Sequence, residues 1–155
     1  MRRSDKEILD PDWIDSVLTG ASYGHIALCD AGSPYLVQMN FAWSEDKPIL
    51  HSAREGEKIR ILRTNPDIAF TAETGVDMVT DTNPCEYGMC YRSVSGRGIA
   101  RFVEDPDEKE RLLSVLAEKY TGKKVTGFSK KAVQQVEVIE VTFTSLTGKV
   151  SGYPR

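Results

Sequence analysis

From Tyr23 to Trp43 the chain alternates apolar and polar residues in two short runs, "YGHIALCD" and "YLVQMNFAW", parted by "AGSP". Period-two alternation predicts half-buried strands, and the small-residue segment between them predicts a turn. "SEDKP" predicts the next turn, before a short strand ending near His51. "LHSAREGEKIRILRTNPDIAF" then reads as a strand end, a polar turn, a short basic helix, a break at Asn65-Pro66, and a strand "DIAFTAET". "EYGMCYRSVSGRGIARFV" is rich in β-branched and aromatic residues, and "QVEVIEVTFTSLTG" approximates period two with a shift in its middle. The period changes in two places. "DPDWIDSVLTG" predicts a helix with Asp10 as N-cap, Pro11 at the first helical position and Gly20 as its stop. "DPDEKERLLSVLAEKY" predicts another, with Asp105 as N-cap, Glu108 completing a capping box, and Leu112, Leu116 and Tyr120 on one buried stripe. "TGKKVTGFSKK" predicts a surface loop with a short helix. Several antiparallel strands with few helices predict an α+β, mainly β chain built on a small barrel.

The 155 residues are 40% hydrophobic and 28% charged, which predicts one domain over 1–155 with its own core. A net charge of −3 argues against a nucleic-acid partner, because phosphate backbones are bound by excess Lys and Arg. The same acidic balance, without a dense basic-aromatic stripe, argues against an oligonucleotide-binding barrel. No apolar run reaches membrane-spanning length, and "MRRSDKEILDPDW" has no apolar core behind its arginines. Three cysteines and two histidines, without CxxC or HxxxH spacing, predict no metal site and no disulfide scaffold. Together these predict a cytoplasmic protein.

The start of the basic helix poses a chemical question. Helix N-termini favour acidic side chains, which Glu55 and Glu57 satisfy and Arg54 and Lys58 do not. One reading is a solvated helix whose cations pair with those glutamates. The other is an anion, such as a phosphate, held by free backbone N–H groups, by Lys58 and Arg54 as its candidate cations, and by the Ser52 hydroxyl. Arg60 and Arg63 lie late enough in the helix for its dipole to account for them. Cys85 and Cys90 lack redox-pair spacing and read as small apolar residues.

Taken in order, "MRRSDKEI", "PYLVQMNFAW", "HSAREGEKI", "NPDIAF", "YRSVSGRGIA" and "VEDPDEKERL" resemble the flavin-binding split-barrel family related to pyridoxamine 5'-phosphate oxidase. The resemblance is strongest to its nitroimidazole-resistance (Nim) branch. It spans nearly the whole chain and implies a six-stranded antiparallel Greek-key split barrel that forms a homodimer. FMN is then expected in a cleft between subunits, held by Met39, Asn40, Phe41, His51, Ser52, Ala53, Lys58, Ile59, Tyr91, Arg92 and Ser93. His51 is the catalytic candidate, able to pass a proton to a reduced acceptor. Gly96 and Gly98 read as structural, allowing close backbone approach or a bend.

This sequence departs from the family at Gln38, where relatives usually carry proline, and at Ala42-Trp43, where a glycine–aromatic pair is common. Its "SGYPR" end lacks the arginine- and histidine-bearing tail of true pyridoxamine phosphate oxidases, so that activity is not expected. The expected function is an FMN-dependent oxidoreductase that reduces a small flat acceptor, with nitroaromatics suggested by the resemblance. The alternative is a non-catalytic flavin carrier or sensor. No GxGxxG nicotinamide motif identifies an electron donor.

Overall fold

The computed structural model describes residues 3–153. Met1 and Arg2 of the first family motif, and Pro154 and Arg155 of "SGYPR", lie outside them.

Eight strands form one antiparallel sheet: β1 (Glu7–Ile8), β2 (Gly24–Asp30), β3 (Ser33–Met39), β4 (Phe41–Ser44), β5 (Lys47–Ala53), β6 (Asp67–Val79), β7 (Gly88–Phe102) and β8 (Val136–Ser151). The order is β3-β2-β6-β7-β8-β5-β4, with β1 paired to the far part of β8. The count is thus eight rather than six, for two reasons. Glu7 and Ile8 add a two-residue strand, and "YLVQMNFAW" is not one strand but two. The partner changes at Asn40: Met39 pairs with Gly24 of β2, whereas Phe41 pairs with Leu50 of β5. This change of partner leaves β3 and β4 as the two unjoined ends of the sheet path.

Among the described residues four α-helices pack around the sheet: α1 (Pro11–Gly20), α2 (Glu57–Thr64), α3 (Pro106–Thr121) and α4 (Lys130–Gln134). Asp10 caps α1 by accepting the Trp13 N–H at 2.8 Å, and Asp105 caps α3 by accepting the Glu108 N–H at 2.8 Å. The Glu108 carboxylate does not close the expected capping box. It turns toward Arg101 at 3.6 Å, across to β7. α4 supplies the short helix expected after "TGKKVTGF".

One buried cluster draws Ile26, Met39, Phe41, Leu50, Phe70, Val94 and Val141 from seven strands, with Val17 and Leu18 of α1 and Ile59 and Ile61 of α2. A single core shared by strands so far apart in the sheet order requires a strongly curved sheet, the barrel geometry. A second, smaller cluster lies on the outside of that wall, where Leu112 and Leu116 of α3 cover Ala42, Ile49, Val103 and Val138. Tyr120, placed on that buried stripe by its spacing, is instead 43% exposed.

Curvature is visible in the ladder between β7 and β8, which shifts register between Arg97 and Gly98. The extra residue on β8 is Thr144, outside the Val138–Val141 interval where the apolar pattern predicts a shift; there Ile139 to Val141 pair regularly with β7. A Cβ added at Gly98 would lie 2.5 Å from the Thr142 carbonyl oxygen, and one at Gly96 would lie 2.7 Å from that of Ser145. Both glycines are there because neighbouring backbone leaves no room for a side chain.

Candidate functional site

The residues singled out before α2 sit at one end of the barrel. β5 carries Leu50 into the core and pairs with β8 from Ile49↔Glu140 to Ala53↔Val136. Side-chain alternation puts His51 and Ala53 on its exposed face, and Ser52, only 5% exposed, on the other. The chain then turns through Arg54, Glu55 and Gly56, the last with φ +118°, a conformation that favours glycine. The helix therefore begins at Glu57 and not at Arg54.

This helix start has unused donors. Gly56 is its N-cap and offers no side-chain acceptor, so the first-turn N–H groups of Glu57, Lys58 and Ile59 are without a side-chain cap. The Ile59 side chain is buried in the core, which leaves its backbone as the part a ligand can meet. The Ser52 hydroxyl is buried with no hydrogen-bond partner. Lys58 has no ion pair among the described residues, while the other basic residues nearby do. Arg60 binds Glu57 at 2.6 Å and also Asp30. Arg63 binds Glu137 at 2.9 Å and lies over the Phe102 ring at 4.9 Å. Arg54 Nε is 3.8 Å from Glu137. Of these pairs only Arg60–Glu57 is one that the solvated-helix reading expects; Arg54 and Arg63 pair with Glu137 instead, and Lys58 with no carboxylate among the described residues.

Glu137 is the residue that pattern reading passed over. It stands opposite Ser52 in the β5–β8 ladder, is 5% exposed, and also receives Lys109 at 3.3 Å. Three cations thus converge on one buried carboxylate. Its only trace in sequence is a glutamate inside an apolar strand. Its partners come from the turn before α2, from α2 and from α3, which no local pattern brings together.

His51 is pushed below its ordinary pKa, first by partial burial and then by the nearby Lys58 charge. Met39 and Phe41 both turn into the core, at 7% and 0% exposure, so only Asn40 between them shows its side chain to solvent. Gln38 is exposed on β3, opposite His25 of β2.

Tyr91, Arg92 and Ser93 are elsewhere. Ser93 pairs with Lys149 and Tyr91 with Ser151, whereas Ser52 pairs with Glu137. The two groups of expected ligands therefore lie toward opposite ends of β8, with roughly 40 Å of strand contour between them. Arg92 stacks over the Tyr153 ring at 4.7 Å, and Lys149 over the Tyr91 ring at 5.0 Å. Cys90 is buried beside Gly152, and Cys85 is exposed.

The larger hollows do not coincide with either group. One of about 440 Å³ lies beside Trp43, Phe143 and Leu146, and one of about 390 Å³ lies on the outer sheet face beside His25, Leu36, Thr71 and Arg97. Among the described residues no helix is long and apolar enough to cross a membrane.

Comparison with known proteins fits this arrangement. Residues 10–150 match the family model for pyridoxamine 5'-phosphate oxidase. A candidate 5-nitroimidazole antibiotic resistance protein from Bacteroides thetaiotaomicron is 34% identical, with 93% of this chain and 86% of that one covered and a TM-score of 0.83. The flavocytochrome Anf3 of Azotobacter vinelandii shares the fold at TM-score 0.87 and 18% identity, covering 99% of this chain and 73% of that one. A FAD- and heme-binding protein of Mycobacterium smegmatis does so at TM-score 0.87 and 18% identity, covering 97% and 76%. No protein of curated function matches the sequence. The family match over almost the entire barrel, joined by a relative at 34% identity, establishes that the chain belongs to the pyridoxamine 5'-phosphate oxidase family.

Proposed function

We propose that the protein is an FMN-dependent oxidoreductase acting as a homodimer on a small, flat organic acceptor. The observation that carries this reading is the set of unused donors at α2: uncapped first-turn N–H groups, a Lys58 amine without an ion pair, and a buried, unpartnered Ser52 hydroxyl. Such a set suits a phosphate dianion, which gains from each donor and from the positive end of the helix. The phosphate of FMN belongs there, held by Ser52, Lys58 and the backbone of Glu57 and Ile59. The relative named for nitroimidazole resistance supports the acceptor class, and the neighbour named for FAD supports a flavin as the cofactor.

Bound FMN supplies a ring that takes up and gives out electrons. The chain supplies the rest. Asn40 and the backbone at Ala53 offer polar contacts beyond the phosphate. Exposed on β5, His51 can hydrogen-bond an acceptor and move a proton at its imidazole nitrogen. Two facts support the dimer. Tyr91, Arg92 and Ser93 are remote along β8 from Ser52 of the same chain, so a cofactor touching both groups draws one from a second subunit. And the hollow that Lys58 lines beside Met39 and Leu50, about 10 Å³, is far too small for a flavin, as expected of a cleft completed between two copies.

The test is the purified protein. It should be yellow, release FMN, and reoxidise with a nitroaromatic acceptor after chemical reduction. His51→Gln should keep the flavin but slow the acceptor half-reaction by about a hundredfold or more, the usual range for losing a general acid. Flavin that binds but never passes electrons to an organic acceptor would instead make the protein a carrier or sensor. A His51→Gln variant that loses FMN, with normal acceptor chemistry per bound flavin, would make His51 a binding residue only.

A further inference from the structure

β4 is the terminal strand of the sheet path, so one of its edges has no neighbouring strand. A strand edge with free N–H and C=O groups is poorly fixed unless something else bonds to it. At Phe41 that partner is a side chain. The Phe41 N–H donates to the Tyr120 hydroxyl oxygen at 3.0 Å. The same hydroxyl lies 2.7 Å from the Ser22 carbonyl oxygen and 3.0 Å from that of Phe41. Its single proton is shared between these two acceptors, with the shorter contact to Ser22 favoured. One phenol thus stands in for a missing strand and ties β4 to the segment between α1 and β2.

The position of that phenol is itself fixed. Tyr120 is in the last turn of α3, and α3 is held to the wall by the buried Leu112 and Leu116. Beside it the Lys119 amine lies over the Phe41 ring, 3.9 Å from its centroid. Phe41 is therefore held by its ring in the core, by the amine above the ring, and by the hydroxyl at its backbone. Asn40, the one exposed residue between Met39 and Phe41, inherits its position from these contacts.

We propose that Tyr120 is a positioning residue of the cofactor site: its hydroxyl holds the Asn40–Phe41 main chain in place for the ring end of the flavin. This rests on the proposed function, in which Asn40 contacts the flavin beyond its phosphate. It also explains why Tyr120 departs from the buried stripe of α3, since its use is the hydroxyl and not burial.

Tyr120→Phe keeps the ring and removes only the hydroxyl. Riboflavin and FMN should both bind about five- to tenfold more weakly, the effect of one lost hydrogen bond. The visible absorption bands of the bound flavin should shift, because the ring environment changes. Lys58→Ala, by contrast, should weaken FMN alone. A purely structural Tyr120 would lower the melting temperature but leave affinity and spectrum unchanged, and that outcome would overturn the proposal. Should Tyr120→Phe fail to fold, amide exchange in the wild-type chain decides. Saturating riboflavin should slow exchange at the Phe41 amide at least tenfold, and an unchanged rate would overturn the proposal. A wild-type chain with no flavin affinity would overturn this proposal and the proposed function together. A flavin-binding chain insensitive to Tyr120→Phe would overturn this one alone.

Discussion

Two titrating side chains report on their surroundings. His51 is held below its ordinary pKa by burial and by Lys58. An anion paired with Lys58 offsets the second cause, so inorganic phosphate should raise the His51 pKa, and Lys58→Met should raise it without phosphate. Imidazole proton resonances followed through a pH titration would show this; a pKa that moves in neither case would separate His51 from the anion site. At Lys119 the cause is burial alone, which brings the amine from its ordinary 10.5 to about 8. Below pH 8 folded and unfolded chains both hold this proton, and the folded state bears the full cost of a buried charge. Between about pH 8 and 10.5 the unfolded chain keeps a proton the folded chain has shed, so stability rises with pH through that window. Lys119 is only partly buried, so solvent screening reduces the gain to about 1–2 kcal/mol. Lys119→Met should remove that rise and be more stable than wild type at pH 7 by a similar amount, as read by urea unfolding at pH 7 and pH 10. A variant whose pH dependence matches wild type would contradict the buried-charge account.

Elements were legible where a local rule had no competitor. The caps at Asp10 and Asp105 are of this kind, and Asp105→Ala should cost about 1 kcal/mol in unfolding free energy with little change in flavin affinity. A loss below a few tenths would mean the cap is redundant in the folded chain. Local rules failed where a distant partner decided the outcome. Glu108 satisfies the capping-box spacing, yet Arg101 on β7 draws its carboxylate away. "YLVQMNFAW" reads as one strand because apolar residues continue through Asn40, but the strands on either side have different partners, and pairing is a property of the sheet. Tyr120 fits the helical stripe, yet its hydroxyl is drawn to the open edge of β4. The anion site shows both sides of this. The glycine at Gly56 and the cation at Lys58 could be read directly, whereas the pairing of Arg54 and Arg63 with Glu137 required knowing that β5 and β8 are neighbours.

At the scale of the whole molecule, a curved antiparallel sheet brings β5 and the start of α2 to one end while carrying Tyr91, Arg92 and Ser93 to the other. The motifs made both groups visible, but their separation could not be read from sequence, because it depends on the register of a sixteen-residue strand. Under the dimer reading, sedimentation should give a homodimer at micromolar concentration that FMN stabilises, since a ligand shared between subunits favours their association. A monomer that binds FMN tightly would contradict it. The central claim is that the flavin is anchored by its phosphate at the start of α2. It is tested most directly by titrating FMN and riboflavin into wild type and Lys58→Ala side by side. The expected result is a loss of about 1–3 kcal/mol for FMN, the cost of a charge-assisted hydrogen bond, and almost none for riboflavin. Equal losses for both ligands, or none for FMN, would contradict it.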